Sequence, residues 1–204
     1  MIDWYHLVLF LHILGTLGFF MGIAVQLIGM LRARQAQSVE AVRLWSSMLR
    51  PLGRFMPLAS LLIFFAGLAL LLGSWGWSHA WLDVSLVLFL LAGLATAHIN
   101  STHGHRLGAL LAGSGAGPVS PELRQILTHP LPWTTTITNS ILAIGILFLM
   151  VIKPGWLGSL LTVAAAFVIG AIISGLVIRQ GRNDPAMTPQ DQGPLPASQT
   201  ANQR

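Results

Sequence analysis

The sequence predicts an all-α, multi-pass membrane bundle with five spans, and three observations carry that prediction. Charged residues make up only 8% of the 204-residue chain and hydrophobic ones 54%, whereas soluble proteins carry roughly 25% charged residues. The mean hydropathy is +0.72. The apolar residues gather in five runs, each close to the ~20 residues that take a helix across a hydrocarbon core, with the charges confined between them. The lipid bilayer is therefore the first partner expected. Composition also removes whole classes of function. Without cysteine there is no disulfide framework, no Cys-based zinc site, no iron–sulfur cluster and no thiol nucleophile. The pI near 11.4 reflects a shortage of acids, and no Lys/Arg-rich patch suggests a nucleic-acid partner.

The elements follow in order. Span one covers Trp4 to Leu31; it is too long for a removed signal peptide and has neither a basic leading segment nor a small-residue cleavage site. Next, Ser38 can cap a helix in which Val39, Val42, Trp45, Leu49 and Leu52 recur at three-to-four spacing opposite Glu40 and Arg43. This reads as an amphipathic interfacial helix ending before Pro51 or Pro57. Span two is Met56 to Trp75 and span three Trp81 to Ser101. The following loop opens with the flexible Gly113–Gly117 stretch, then offers Ser120-Pro121-Glu122, an N-cap with proline at the first helical position. A short surface helix should end near His129-Pro130. Span four is Thr134 to Ile152 and span five Trp156 to Ile178. Residues 1–180 thus form one transmembrane domain. The polar segment 181–204, punctuated by Pro185, Pro189, Pro194 and Pro196, has too little apolar surface to offset ordering and is expected to be a disordered tail.

Basic residues predict direction, because Lys and Arg near span ends stay on the cytoplasmic side. Ten of the eleven lie in the first and third loops or after span five, and only Lys153 lies elsewhere. The N-terminus is therefore expected outside and the C-terminus in the cytoplasm of a bacterial inner membrane. Trp4, Tyr5, Trp75, Trp77, Trp81 and Trp156 then fall at the outer boundary, where amphipathic rings prefer to sit.

Polar groups within hydrocarbon are costly and point toward functional sites. His12 and His98 are the two histidines well inside spans. At 100° per residue, Thr16 and Gln26 share the face of His12, with Gly15, Gly18 and Gly22 just to one side. Such a small, polar face suits burial against another helix. Two readings of His12 stand side by side: a haem or metal ligand, or a packing residue bonded to a neighbouring carbonyl. His98, His103 and His105, with His129 in the next loop, form a second cluster that invites a metal reading. Against it, His98 and His105 lie about 10 Å apart along the helix, and a solvated interfacial cluster is the plainer reading. A single haem between His12 and His98 meets a depth problem, since they lie about 12 Å and 25 Å from their outer tryptophans. If haem b binds, His12 is the axial candidate, with Met21, Met56 or no protein group opposite. The usual hydrolase, metalloprotease, phosphate-loop and dinucleotide motifs are missing.

Leu11-His12-Ile13-Leu14-Gly15, the Trp81-Leu82-Asp83-Val84-Ser85 entry to span three, and Leu149-Met150-Val151-Ile152-Lys153-Pro154-Gly155 resemble a bacterial family of predicted integral membrane proteins of unknown function, over roughly residues 5 to 178. More distantly, spans one and three are similar to those of copper-resistance D proteins and of membrane-bound protoporphyrinogen oxidases, which carry a haem. Those oxidases pair Leu-His in span one with Trp-Leu-His-x-Lys at span three. Here Asp83 and Ser85 stand where that pattern has His and Lys, so the resemblance implies a ligand role for His12 and not porphyrinogen oxidation. Two classes of function follow: a haem- or metal-binding, redox-type membrane protein centred on His12, or a non-catalytic packing partner or small-solute carrier, with a membrane protein partner or a second copy as possible company.

Overall fold

The computed structural model describes residues 3–77 and 79–182. Its elements are α1 (Trp4–Gln35), α2 (Val39–Leu49), α3 (Leu52–Leu70) continued by a π-helical turn (Leu71–Trp75), α4 (Ala80–Gly113), α5 (Pro121–Leu127), α6 (Pro130–Ile152) and α7 (Trp156–Arg182). Five helices are long and apolar enough to cross a membrane, and no strand occurs among the described residues. Of the tail expected to be disordered over 181–204, residues 181 and 182 belong instead to α7, which runs to Arg182, and 183–204 lie outside the described residues.

Several helices outrun their expected spans. At 1.5 Å per residue, α4 is about 51 Å long, well beyond a ~30 Å hydrocarbon core. Gly104 does not break it, because a single glycine costs a helix only about 1 kcal/mol. Helix α6 starts four residues before Thr134, since Pro130 sits at the first helical position and His129 Nδ1 accepts from Leu131 N at 3.3 Å. The α6–α7 turn is sharp. Lys153 closes α6 in the left-handed region at φ 53°, and Pro154 and Gly155 follow.

Packing follows the distribution of small residues. Helix α1 lies along α3, where a Cβ on Gly15 would come within 3.0 Å of Ile63 Cγ1 and 3.2 Å of its backbone nitrogen. Any side chain there would oblige Ile63 to give by a few tenths of an ångström, so a small residue suits the close approach. Helix α6 meets α7 in the same way, with Gly170 against Thr138 and Gly145 against Ala166, and also packs on α4. The outward faces are apolar and exposed, as Phe10, Leu17, Leu94 and Leu157 show, which suits lipid.

At the arginine-rich end the two loops bind each other. Val39 N donates to Gly117 O at 2.9 Å and Val119 N to Gln37 O at 3.2 Å. Ser38 Oγ caps α2 by accepting from Ala41 N, and Ser120 Oγ caps α5 by accepting from Leu123 N. Val39, Val42, Leu111 and Leu123 make a small core under them. The apolar face of α2 is therefore divided: Val39 and Val42 pack on protein, while Leu44 and Met48 remain exposed.

Candidate functional site

Helix α1 places His12 against α3, and the imidazole is 6% exposed. Its Nδ1 lies 3.0 Å from the carbonyl oxygen of Ile63. A carbonyl can only accept, so Nδ1 carries a proton, and in the neutral form of the ring the lone pair then lies at Nε2. Gly67, one turn further along α3, leaves room for the ring: a Cβ there would stand 3.1 Å from His12 Cε1. Thr16 Oγ1 donates back to His12 O at 2.9 Å, so its hydroxyl is already used. His12 Nε2 is buried and has no hydrogen-bond partner among the described residues.

The residue lines a cavity of about 100 Å³ between α1, α3, α4 and α6, near the tryptophan-rich end. Trp81 and Ser85 of α4, each 4% exposed, line it, as does Met150 of α6. Trp81 Nε1 and Ser85 Oγ also lack partners. The Trp81 ring is fixed from outside, with Trp75 at 5.7 Å between centroids and Lys153 Nζ at 5.6 Å from its centre. Phe19, Phe64, Phe89, Ala143 and Ile146 line both this cavity and a second, larger space of about 1700 Å³ that extends toward the arginine-rich end.

The structure brings some sequence candidates together and parts others. Gly15, Gly18 and Gly22 lie against Ile63, Phe55 and Met56 of α3. Gln26 reaches Thr136 of α6 at 3.5 Å, away from His12. Met21 is 68% exposed and faces lipid. Met56 sits beside Gly22, about 15 Å along α1 from His12. Neither methionine can share an ion with His12 at ligand bonds near 2 Å. Met150 of α6 lines the same cavity as His12, a placement set by the packing of helices far apart in the chain. His98 is exposed on α4, about 20 Å along the helix from Ser85, and His105 is exposed too. His103 pairs with His129 of the loop before α6, ring centroids 5.0 Å apart. Among the described residues no three His, Cys, Asp or Glu side chains gather as a metal site.

Trp81 and Ser85 appear in the sequence as an interfacial anchor and as part of the motif that enters span three, and their i, i+4 spacing sets both on one face of α4.

A five-span helical bundle with apolar outward faces defines the class: a multi-pass integral membrane protein. The family model described as "Predicted integral membrane protein (DUF2269)" matches residues 6–154, and the chain belongs to that family. No curated protein and no solved structure gives a match.

Proposed function

We propose that this is a redox-type membrane protein that holds a metal centre on His12 Nε2. The observation that carries the reading is the pairing of Nδ1 with Ile63 O, which leaves Nε2 buried without a hydrogen-bond partner on a residue that lines the cavity. Metal-binding histidines commonly have this arrangement: the second nitrogen donates to a carbonyl, which fixes the tautomer and raises the basicity of the ligating atom. Met150 offers a thioether on the same cavity, and imidazole with thioether suits a late first-row ion. A cavity of about 100 Å³ fits such an ion with small ligands. A haem needs the several hundred Å³ typical of organic-ligand sites, which requires Phe19, Phe64 and Phe89 to swing toward the larger space. The residues therefore fit a bare ion better than a macrocycle.

The test is metal analysis and a visible spectrum of detergent-purified protein, wild type and His12→Ala, from cells supplied with iron, copper and haem. Near-stoichiometric metal lost in His12→Ala supports the reading, and a Soret band that disappears with it assigns haem. Folded wild-type protein without metal or colour refutes it.

The residues common to both spaces, Phe19, Phe64 and Phe89 with Ala143 and Ile146, favour a second reading, a carrier in which the two spaces are halves of one path. It predicts solute or ion leak through proteoliposomes containing Phe64→Ala and Phe89→Ala together; tight vesicles with folded protein exclude it. For either reading, the arginine distribution supports an outward N-terminus in a bacterial inner membrane.

A further inference from the structure

The π-helical turn that ends α3 meets α4 at the tryptophan-rich end, where Leu71, Trp81 and Leu82 share a core cluster. From there the two helices diverge, α3 packing along α1 and α4 along α6. Between them opens the space of about 1700 Å³. Its walls within the membrane are Leu61 and Phe65 of α3 and Leu90 and Leu94 of α4, all exposed. Gly93, between the two leucines, also lines it and has nothing within 4 Å of a Cβ. Apolar surface thus faces apolar surface across a gap, and in a bilayer the cover is lipid or another helix. Depth separates these two. The space begins at Phe89, about 12 Å along α4 from Trp81, and leaves the hydrocarbon near Ser101, about 30 Å from Trp81. Its apolar part is therefore about 18 Å deep, close to half of a ~30 Å core and the reach of one leaflet's acyl chains. A spanning helix about 30 Å long and 10 Å wide fills about 2,400 Å³, and the closed tryptophan-rich end leaves it no full-length seat.

Charge at the mouth points the same way. Arg50, at the junction of α2 and α3, lines the space and is exposed, and its guanidinium has no partner among the described residues. Asn100 and Ser101 line the space from α4. By helix rise from Trp75 and Trp81, Arg50 and Ser101 lie about 37 and 30 Å deep, the level of phospholipid phosphates just outside the hydrocarbon. No Asp or Glu occurs at 41–82 or 84–121, so neither α3 nor α4 beyond its first turn brings an acid to Arg50. Glu40 and Arg43 also line the space, but further out. Glu40 accepts from Gly117 N at 3.0 Å, and Arg43 donates to the carbonyls of Leu111 and Ser114, about 45 Å along α4 from Trp81.

We propose that the cleft between α3 and α4 seats one anionic phospholipid of the arginine-rich leaflet, its acyl chains between Leu61, Phe65 and Leu94 and its phosphate on Arg50. The guanidinium fork matches phosphate oxygens, and basic pockets between spanning helices suit anionic headgroups. The inference is independent of any metal on His12.

The probe is dioleoyl phosphatidylglycerol, compared with dioleoyl phosphatidylcholine and with chain-free glycerol phosphate. Each is added to delipidated full-length protein in detergent, and bound copies are counted by native mass spectrometry. One phosphatidylglycerol per chain is expected to bind about tenfold more tightly than phosphatidylcholine, and glycerol phosphate is expected not to bind. Arg50→Gln should weaken phosphatidylglycerol about tenfold, the loss of hydrogen bonds to a charged acceptor, and Arg50→Lys should recover most of that. Arg179→Gln makes the same charge change on α7, which does not border the space, and should alter binding less than about twofold. Gly93→Leu puts a side chain into the cleft without meeting protein and should abolish binding with Arg50 intact; circular dichroism checks its fold, and if it does not fold the Arg50 and Arg179 variants decide. Equal affinity for the two phospholipids, an equal loss in Arg179→Gln, or binding unaffected in folded Gly93→Leu overturns the inference. Glycerol phosphate bound as tightly as the lipid would make the mouth a plain anion site, and a dimer that Gly93→Leu converts to monomer would give the cleft to a second copy; either result overturns it as well. None of these outcomes bears on the His12 reading.

Discussion

Substituting alanine at Gly15 tests the contact that positions His12. Gly15 and His12 dock on the same residue of α3: the Gly15 Cα faces Ile63 closely enough that a Cβ would stand 3.0 Å from Ile63 Cγ1, 3.2 Å from its backbone nitrogen and 3.3 Å from Leu62 Cγ, while Ile63 O holds His12 Nδ1. The side-chain carbon can yield, but the backbone nitrogen cannot without moving α3. Overpacking of this kind costs about 1–3 kcal/mol, against which alanine recovers up to about 1 kcal/mol of helix propensity. The net expectation for Gly15→Ala is a loss of about 0–2 kcal/mol from those same two figures, together with loosening of the His12 bond. Gly104→Ala supplies the reference, because nothing lies within 4 Å of a Cβ there and only the propensity gain of up to about 1 kcal/mol acts. Denaturation in mixed detergent micelles, followed by circular dichroism, should therefore order the proteins Gly104→Ala, wild type, Gly15→Ala from most to least stable. Gly15→Ala as stable as Gly104→Ala would refute the close α1–α3 packing and with it the fixed placement of the imidazole.

Other expectations are simpler to read. In metal-free protein His12→Ala removes one intramembrane hydrogen bond and should lower stability by about 0.6–2 kcal/mol; a neutral result would mean that Ile63 O has found another donor. Arg124 Nη1 donates to Arg34 O at 2.9 Å and Nη2 to Gln37 at 3.3 Å, tying α5 to the end of α1. Arg124→Ala should therefore cost about 1 kcal/mol and raise amide exchange around residues 34–39, and unaltered exchange there would show that the tie is dispensable. Alkaline phosphatase fused after Arg182 should be inactive and in the Trp75–Trp81 connection active, as the basic residues require; the reverse pattern would invert the topology. Removing residues 183–204 should leave the melting behaviour in detergent unchanged, because their prolines and polar side chains offer little to bury, and a large loss would mean that this segment docks.

The sequence by itself determined the class of fold. Backbone groups in hydrocarbon must be satisfied within the segment, so five apolar runs without strand alternatives leave helices as the spanning solution, and Ser38, Ser120 and Pro130 marked helix starts because capping is local chemistry. The small, polar face around His12 was legible for the same reason, since residues three and four apart on one helix are neighbours whatever surrounds them. Which helix covers that face, and what else reaches the cavity, depends on contacts across long stretches of chain. Only the tertiary structure set Ile63 O against Nδ1, fifty-one residues away, turned Met21 to lipid, moved Met56 down α1, and brought Trp81, Ser85 and Met150 to the cavity beside His12. Helix periodicity fixes the neighbours along a helix but not its rotation against another, and in lipid the close approach of small residues, more than any pattern of hydrophobicity, selects that rotation.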